Sequence, residues 1–312
     1  MKKISIVVPC YNEQDALQYF YEEVVKLSLA MPAIMYEYVF VDDGSQDGTL
    51  GLLKKMQEMD SRIKYISFSR NFGKESAIYA GLKNSSGDYV AIIDADLQDP
   101  PILIKDMYHL ITEEGFDCVA TRRTTRKGEP PVRSFFARQF YRIINRISNI
   151  NLVDGERDFR LMTRQMVDSI LQICEYNRFS KGIFAWVGFR TEWLEYDNQE
   201  RVAGQTKWSF WKLYLYSLEG IMAFSTTPLA IASIIGVAFF VLSFLMLCVF
   251  GIKHLLGGGT TYEWPTLMCI ILFITGIQLF CTGIVGQYLS RTYLETKKRP
   301  IYIIKEFSDE CS

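Results

Sequence analysis

Through the first hundred residues, short unbroken apolar runs alternate with stretches in which apolar positions recur every three or four residues. "KISIVVPCYNE", "YEYVFVDDGSQDGT", "IKYISFSRNFGKESAIYAGLKN" and "YVAIIDADLQDPP" each begin as a strand, and "QDALQYFYEEVVKLSL" and "LGLLKKMQEM" lie between them as helices. Strand and helix alternating in this way predict a mostly parallel sheet with helices on both faces. In such sheets ligands bind beyond the carboxyl ends of the strands. Each run here ends in a polar loop, "YNE", "DDGSQDGT", "RNFGKE" or "DADLQD", so four polar loops meet on one rim. After Gly115 the sheet pattern weakens. From Arg122 to Arg146 there are eight Lys or Arg against one acid, Glu129, with Arg138, Arg142 and Arg146 on one helix face. That face is either solvated or turned toward anionic lipid head groups.

The last third changes character. Pro228–Gly251 and Trp264–Leu289 contain no charged residue. At about 1.5 Å per helical residue, each is long enough to cross a hydrocarbon core of about 30 Å. Arg291, Lys297, Lys298 and Arg299 follow the second run, whereas "IKHLLGGGTTYE" between the runs carries one Lys and one His. The positive-inside rule then expects a hairpin in a cell membrane, with two spans and both chain ends cytoplasmic. The apolar run after Lys3 breaks at Pro9, so no secretory leader is expected. The expected organisation is a catalytic domain over 1–207, an amphipathic aromatic-rich segment over 208–227, spans at 228–252 and 264–290, an external linker over 253–263, and a cytoplasmic tail over 291–312. A net charge of −1 gives no global attraction to nucleic acid. The seven Cys are scattered, which argues against a disulfide framework or a zinc site.

The acids of "DADLQD" pose the sharpest chemical question. Side chains two apart on an extended chain point the same way, so Asp94 and Asp96 would converge. Two such carboxylates repel unless a cation or proton sits between them. A hard divalent ion completed by a phosphorylated ligand is one answer, and a polar turn after a strand is the other.

Taken in order, "VVPCYNE", "VDDGSQDGT", "SRNFGKESAIYAGL", "DADLQDPP", "DFRLMTR" and "RVAGQTKW", followed by the apolar runs, resemble the family 2 glycosyltransferases of the GT-A fold. More narrowly they resemble the polyprenyl-phosphate hexose synthases, the dolichol-phosphate mannosyltransferases and bactoprenol glucosyltransferases. The resemblance implies that Pro9, Tyr11 and Glu13 border the nucleotide base, that Asp42 and Asp43 hold base or ribose, and that Lys74 lies near the donor. It implies Mg²⁺ or Mn²⁺ on Asp94, Asp96 and Gln98, bridging the donor diphosphate. Arg122, Arg133, Arg201 and Lys207 match the positions that bind the lipid phosphate, and Asp158 matches the proposed general base. A phosphomonoester acceptor is already largely a dianion at pH 7, so Asp158 could equally orient the acceptor, or pair with Arg157 or Arg160. Arg157 and the Gln205–Thr206 pair depart from the common pattern.

The implied activity is inverting transfer of one hexose from a nucleotide sugar (UDP-glucose, UDP-N-acetylglucosamine or GDP-mannose) to undecaprenyl or dolichyl phosphate. Membrane lipids are the expected surroundings, no nucleic acid partner is expected, and a homo-oligomer stays open. Two alternatives are a processive polysaccharide synthase, whose glutamine-any-any-arginine-tryptophan signature does not occur here, and a non-catalytic protein that binds nucleotide or lipid.

Overall fold

Continuous burial on both faces makes Lys3–Cys10 the central strand, β1, of an eight-stranded sheet. The computed structural model describes residues 1–123, 131–148, 150–196, 220–255 and 264–308. Strand β2 (Met35–Asp42) pairs in parallel with β1 on one side and with β3 (Ile63–Phe68) on the other, and β4 (Tyr89–Ile92) pairs in parallel with β1. Helices α1 (Gln14–Ala30), α2 (Thr49–Met59) and, later in the chain, α4 (Ile104–Glu114) enclose Ile4, Ile6 and Val8 on one face. On the opposite face Val7 packs with α3 (Lys74–Lys83). Contact there is close: a Cβ at Gly81 would meet Val7 Cγ1 at 2.2 Å, so only glycine lets α3 lie down on the sheet.

The sheet continues past Gly115, where the apolar pattern had faded. Strands β5 (Cys118–Arg123), β6 (Glu156–Thr163) and β7 (Thr191–Tyr196) extend it in the order β7-β5-β6-β4-β1-β2-β3-β8. Strand β6 runs antiparallel to both β4 and β5, so the sheet is mixed where a mostly parallel one was expected. Arg160 hides β6 from a hydropathy reading. Its guanidinium is only 1% exposed and is tolerated because Glu156 accepts its Nη2 at 2.7 Å and the ring of Phe184 lies 3.9 Å away. Around this half lie α5 (Pro131–Ile147), α6 (Arg164–Leu171) and α7 (Ser180–Trp186). The last two add Met166, Val167, Ile170, Ile183 and Phe184 to the core beside α3.

Two long helices close the chain, α8 (Thr227–Leu255) and α9 (Trp264–Thr296). They touch through the Phe239 and Phe273 rings at 5.8 Å and through Cys281 Sγ and the Ala232 carbonyl at 3.7 Å. Among the described residues one helical stretch, Ile270–Thr296, is long and apolar enough to cross a membrane. The expected tail over 291–312 is not a separate appendage: α9 runs on to Thr296, and Ile304–Phe307 form β8, antiparallel on the outer edge of β3. Tyr302 stacks on Phe68 at 4.9 Å, which fastens that return. The basic cluster at Arg201 and Lys207, and most of the 208–227 segment, fall outside the described residues, as does the side chain of Arg133.

Candidate active site

The carboxyl ends of β1, β2 and β4 lie side by side, because β1 pairs in parallel with both neighbours. Their loops interlock. Beyond β1, Asn12 (φ 53°) takes the left-handed conformation, donates its N–H to Ser45 Oγ at 3.0 Å and accepts from the Gln46 N–H at 2.9 Å. The Glu13 N–H donates to Thr49 Oγ1 at 2.9 Å and Gln14 Oε1 accepts from the Gly48 N–H at 2.7 Å. Pro9, Tyr11 and Glu13, expected at the base, are half-buried along this seam.

Asp42 and Asp43, expected at the base or ribose, stand at the end of β2 with their carboxylates hydrogen-bonded within the rim. Both are buried, at 1% and 3% exposure. Asp42 accepts from the Ser45 N–H at 3.0 Å and from Ser67 Oγ at 2.7 Å, tying the loop after β2 to strand β3. Asp43 accepts the Phe72 and Gly73 amides at 2.6 and 2.9 Å, which holds the loop that opens α3. Desolvation pushes its carboxyl up to about 6, with those two amides opposing. The structural work of these acids is visible only once the loops meet.

Strand β4 stops at Ile92, so Asp94 and Asp96 stand on a turn and not on extended chain. That turn passes through Leu97 at φ 55°, an uncommon conformation for a branched residue and a mark of a constrained site. Exposure still alternates, with Asp94, Asp96 and Gln98 partly exposed and Ala95, Leu97 and Asp99 buried. Asp96 Oδ1 accepts the Gln98 N–H at 3.2 Å.

The antiparallel register of β4 and β6 pairs Ile92 with Arg160, and two further residues along each chain bring Asp94 opposite Asp158. The Lys74 ammonium stands between them, 2.7 Å from Asp94 Oδ1 and 2.5 Å from Asp158 Oδ2. Desolvation would lower Lys74, but Asp158 and Asp94 outweigh it and raise the amine above its ordinary value. Desolvation would likewise raise Asp158. Lys74, with Lys181 and Arg160 behind it, reverses that and holds the carboxyl well below the usual carboxylate range. The side chains of Arg157 and Arg160, considered as partners for Asp158, are engaged elsewhere: Arg160 on Glu156, and Arg157 Nε on buried Asp99 at 3.1 Å and on Tyr196 Oη at 3.2 Å.

Arg157 Nη2 also donates to Gln98 Oε1 at 3.1 Å, which turns that amide oxygen toward β6. Arg122 is paired across the parallel β5–β7 register with Glu195. Sequence reasoning overlooked Lys181, whose Nζ donates to the Glu156 carbonyl at 2.8 Å, and Glu75, which accepts the Ser180 N–H at 2.9 Å. Only the position of Glu75 directly after Lys74 signals its importance; for Lys181 no signal exists in the chain.

The donor set suits a hard divalent cation. Asp94 and Asp96 are partly exposed carboxylates on one turn, which is enough when a ligand's phosphates complete the coordination. Among the described residues no group of three or more His, Cys, Asp or Glu is arranged to hold a metal without such help.

This is an α/β fold with a mixed sheet, acids at the strand ends and a lysine between two of them, and residues 5–171 match the model of glycosyl transferase family 2. The chain belongs to that family, and its fold is GT-A-like. Among its relatives, the putative glycosyltransferase CsbB of Bacillus subtilis is 42% identical over 97% of this chain and 91% of its own. The prophage bactoprenol glucosyl transferase homolog of Escherichia coli is 41% identical over 97% and 98%. The bactoprenol glucosyl transferase of Shigella phage SfII is 42% identical over the same shares. Among solved structures, mannosyl-3-phosphoglycerate synthase of Rubrobacter xylanophilus superposes with TM-score 0.47 at 21% identity, over 71% of this chain and 72% of that one.

Proposed function

We propose that this glycosyltransferase moves one hexose from a nucleotide sugar to a polyprenyl phosphate at the cytoplasmic face of a membrane. One observation carries the acceptor reading: similarity to proteins named bactoprenol glucosyl transferases runs through 97% of the chain, so it takes in the two apolar helices as well as the catalytic half. In this reading α8 and α9 form a membrane hairpin, with Arg291, Lys297, Lys298 and Arg299 on the cytoplasmic side. The catalytic domain over 1–207, the juxtamembrane segment over 208–227 and the linker over 253–263 are organised around that hairpin.

An acceptor phosphate oxygen forms the new bond to the anomeric carbon while the bond from that carbon to the nucleoside diphosphate breaks, with inversion. Asp94 and Asp96 would hold Mg²⁺ or Mn²⁺, which when bound neutralises charge on the departing diphosphate. Lys74 keeps Asp94 and Asp158 from repelling each other, and so holds the turn in place before the donor arrives. Asp158 orients the acceptor: a phosphate dianion has no proton to give up, and a carboxylate paired with an ammonium is a weak base. Pro9, Tyr11 and Glu13 would border the base, and Asp42 and Asp43 at the end of β2 would hold base or ribose. Arg122, Arg133, Arg201 and Lys207 are the candidate lipid-phosphate ligands, and Arg122 would exchange Glu195 for the phosphate.

Purified protein is incubated with divalent metal, polyprenyl phosphate and a panel of labelled UDP-glucose, UDP-N-acetylglucosamine and GDP-mannose. The expected product is a lipid carrying one sugar from one donor. A polymer would indicate a processive synthase, and the absence of transfer from any donor would refute the proposal.

A further inference from the structure

A cavity lined by none of the acids of the candidate active site lies elsewhere in the fold. It holds about 630 Å³ between the end of α3, the turn after α6 and the chain leaving α9. That volume is typical of a small-molecule site. Lys83, Lys298 and Arg299 stand around it, and none of them has an ion-pair partner among the described residues. The nearby acid, Glu295, is already engaged, accepting the Tyr176 and Asn177 amides at 2.9 and 3.4 Å. A net positive rim therefore faces the cavity. Ile301 and Tyr302 supply an apolar wall.

Its place in the fold narrows the ligand. The chain turns out of the apolar helix α9 through Lys298, at φ 48°, which sets Lys298 and Arg299 at the mouth. If α9 spans a membrane, this mouth lies about 13 Å beyond Leu289, the last residue of the uncharged run, on the head-group side of the hydrocarbon. Cations there are attracted to anionic lipid, and the arginine fork can hold two phosphate oxygens. We propose that this cavity binds the phosphate-bearing head group of an anionic membrane phospholipid, distinct from the polyprenyl phosphate acceptor. The inference rests on the membrane reading of α9 given above.

Occupancy also has a route to the active site. Glu295 on the wall holds the 176–177 amides, the same turn carries Ser180 to Glu75, and Glu75 adjoins Lys74. A head group bound at Lys298 and Arg299 steadies the end of α9 that positions this turn.

The test uses the full-length protein in detergent. Binding of phosphatidylglycerol is measured by native mass spectrometry, with phosphatidylcholine as the neutral comparator and glycerol 3-phosphate as the soluble head group. At roughly fivefold per basic residue near a membrane surface, Lys83→Gln/Arg299→Gln should weaken phosphatidylglycerol binding about thirtyfold. Lys297→Gln, one residue away but stacked on Tyr293 outside the cavity, should leave it within about twofold of wild type. Equal weakening by Lys297→Gln, or unchanged binding in the double variant, would refute the site. Glycerol 3-phosphate binding as tightly as the lipid would refute the lipid assignment. Transfer to polyprenyl phosphate is assayed in the same preparations: transfer that persists while selective phosphatidylglycerol binding is absent overturns this inference alone, and missing wild-type transfer with selective binding intact overturns the proposed function alone.

Discussion

Replacing Arg160 by methionine would test the interaction that lets β6 enter the sheet. Arg160 is 1% exposed and its partner Glu156 is 5% exposed. Removing one member of a buried pair leaves an uncompensated charge and typically costs about 3–5 kcal/mol. The lost stacking on Phe184 is part of that cost, while Lys181, on the Glu156 carbonyl at 2.8 Å, offsets some of it. The lower half of the range is therefore expected. For a domain of this size each kcal/mol lowers the thermal midpoint by about 2–4 °C, so a loss of about 3–4 kcal/mol in Arg160→Met should lower it by about 6–16 °C. Scanning fluorimetry of purified protein at one fixed scan rate is the assay, since unfolding of large proteins is often irreversible. The companion variant Arg160→Met/Glu156→Leu should recover most of the loss, because an apolar pair of similar volume often replaces a buried ion pair at little cost. Activity should fall further than stability in the single variant. Arg160 Nε and Nη2 also donate to the Asp158 and Arg157 carbonyls at 3.3 and 3.0 Å, so the strand segment carrying Asp158 loosens with it. A midpoint shift below about 2 °C, or a double variant as unstable as the single, would refute this account of β6.

Three other perturbations have definite expected outcomes. Asp96→Asn should abolish transfer and weaken donor binding only when metal is present, measured by calorimetry with and without chelator; equal weakening in both would remove Asp96 from the metal site. Asp43→Asn probes a carboxyl raised from its ordinary 3.8 to about 6 by burial. The folded state then holds its proton more tightly than the unfolded chain, and the stabilising contribution, complete below about pH 4, is lost as pH rises through 6. The wild type should accordingly lose about 1 kcal/mol relative to Asp43→Asn between pH 5 and 7.5, and a gap in thermal midpoint that does not move with pH would contradict it. Deleting residues 301–312 removes β8 and the Tyr302–Phe68 stack and leaves the edge of β3 unpaired. The truncated protein should show a lower thermal midpoint and more aggregation by light scattering, whereas unchanged values would show that β8 is dispensable.

The first four strands, the two helices between them, the rim of polar loops and the two apolar helices were legible in the sequence because each depends on local pattern. Unbroken apolar runs make strands buried on both faces, three-to-four spacing makes amphipathic helices, and two long uncharged runs make long apolar helices. The acids after β4 stood out as well, since the parallel order of the early strands brings their polar loops to one edge, whereas Lys74 was named through the family resemblance. The rest depended on partners far along the chain. Strand β6 gave no local signal, because it carries Arg160 into the interior, where Glu156 and Phe184 neutralise and cover it. The charged tail looked like an appendage until the edge of β3 offered it hydrogen-bond partners. The partners of Asp42 and Asp43 could not be read locally, because Ser67, Phe72 and Gly73 reach them from further along the chain. Asp158 lies opposite Asp94, with Lys74 between them, only because β6 runs antiparallel to β4, a register determined by packing and not by any local signal. A charged or polar side chain acquires its role from the group it finally meets, and across 64 residues between Asp94 and Asp158 only the folded chain supplies that meeting.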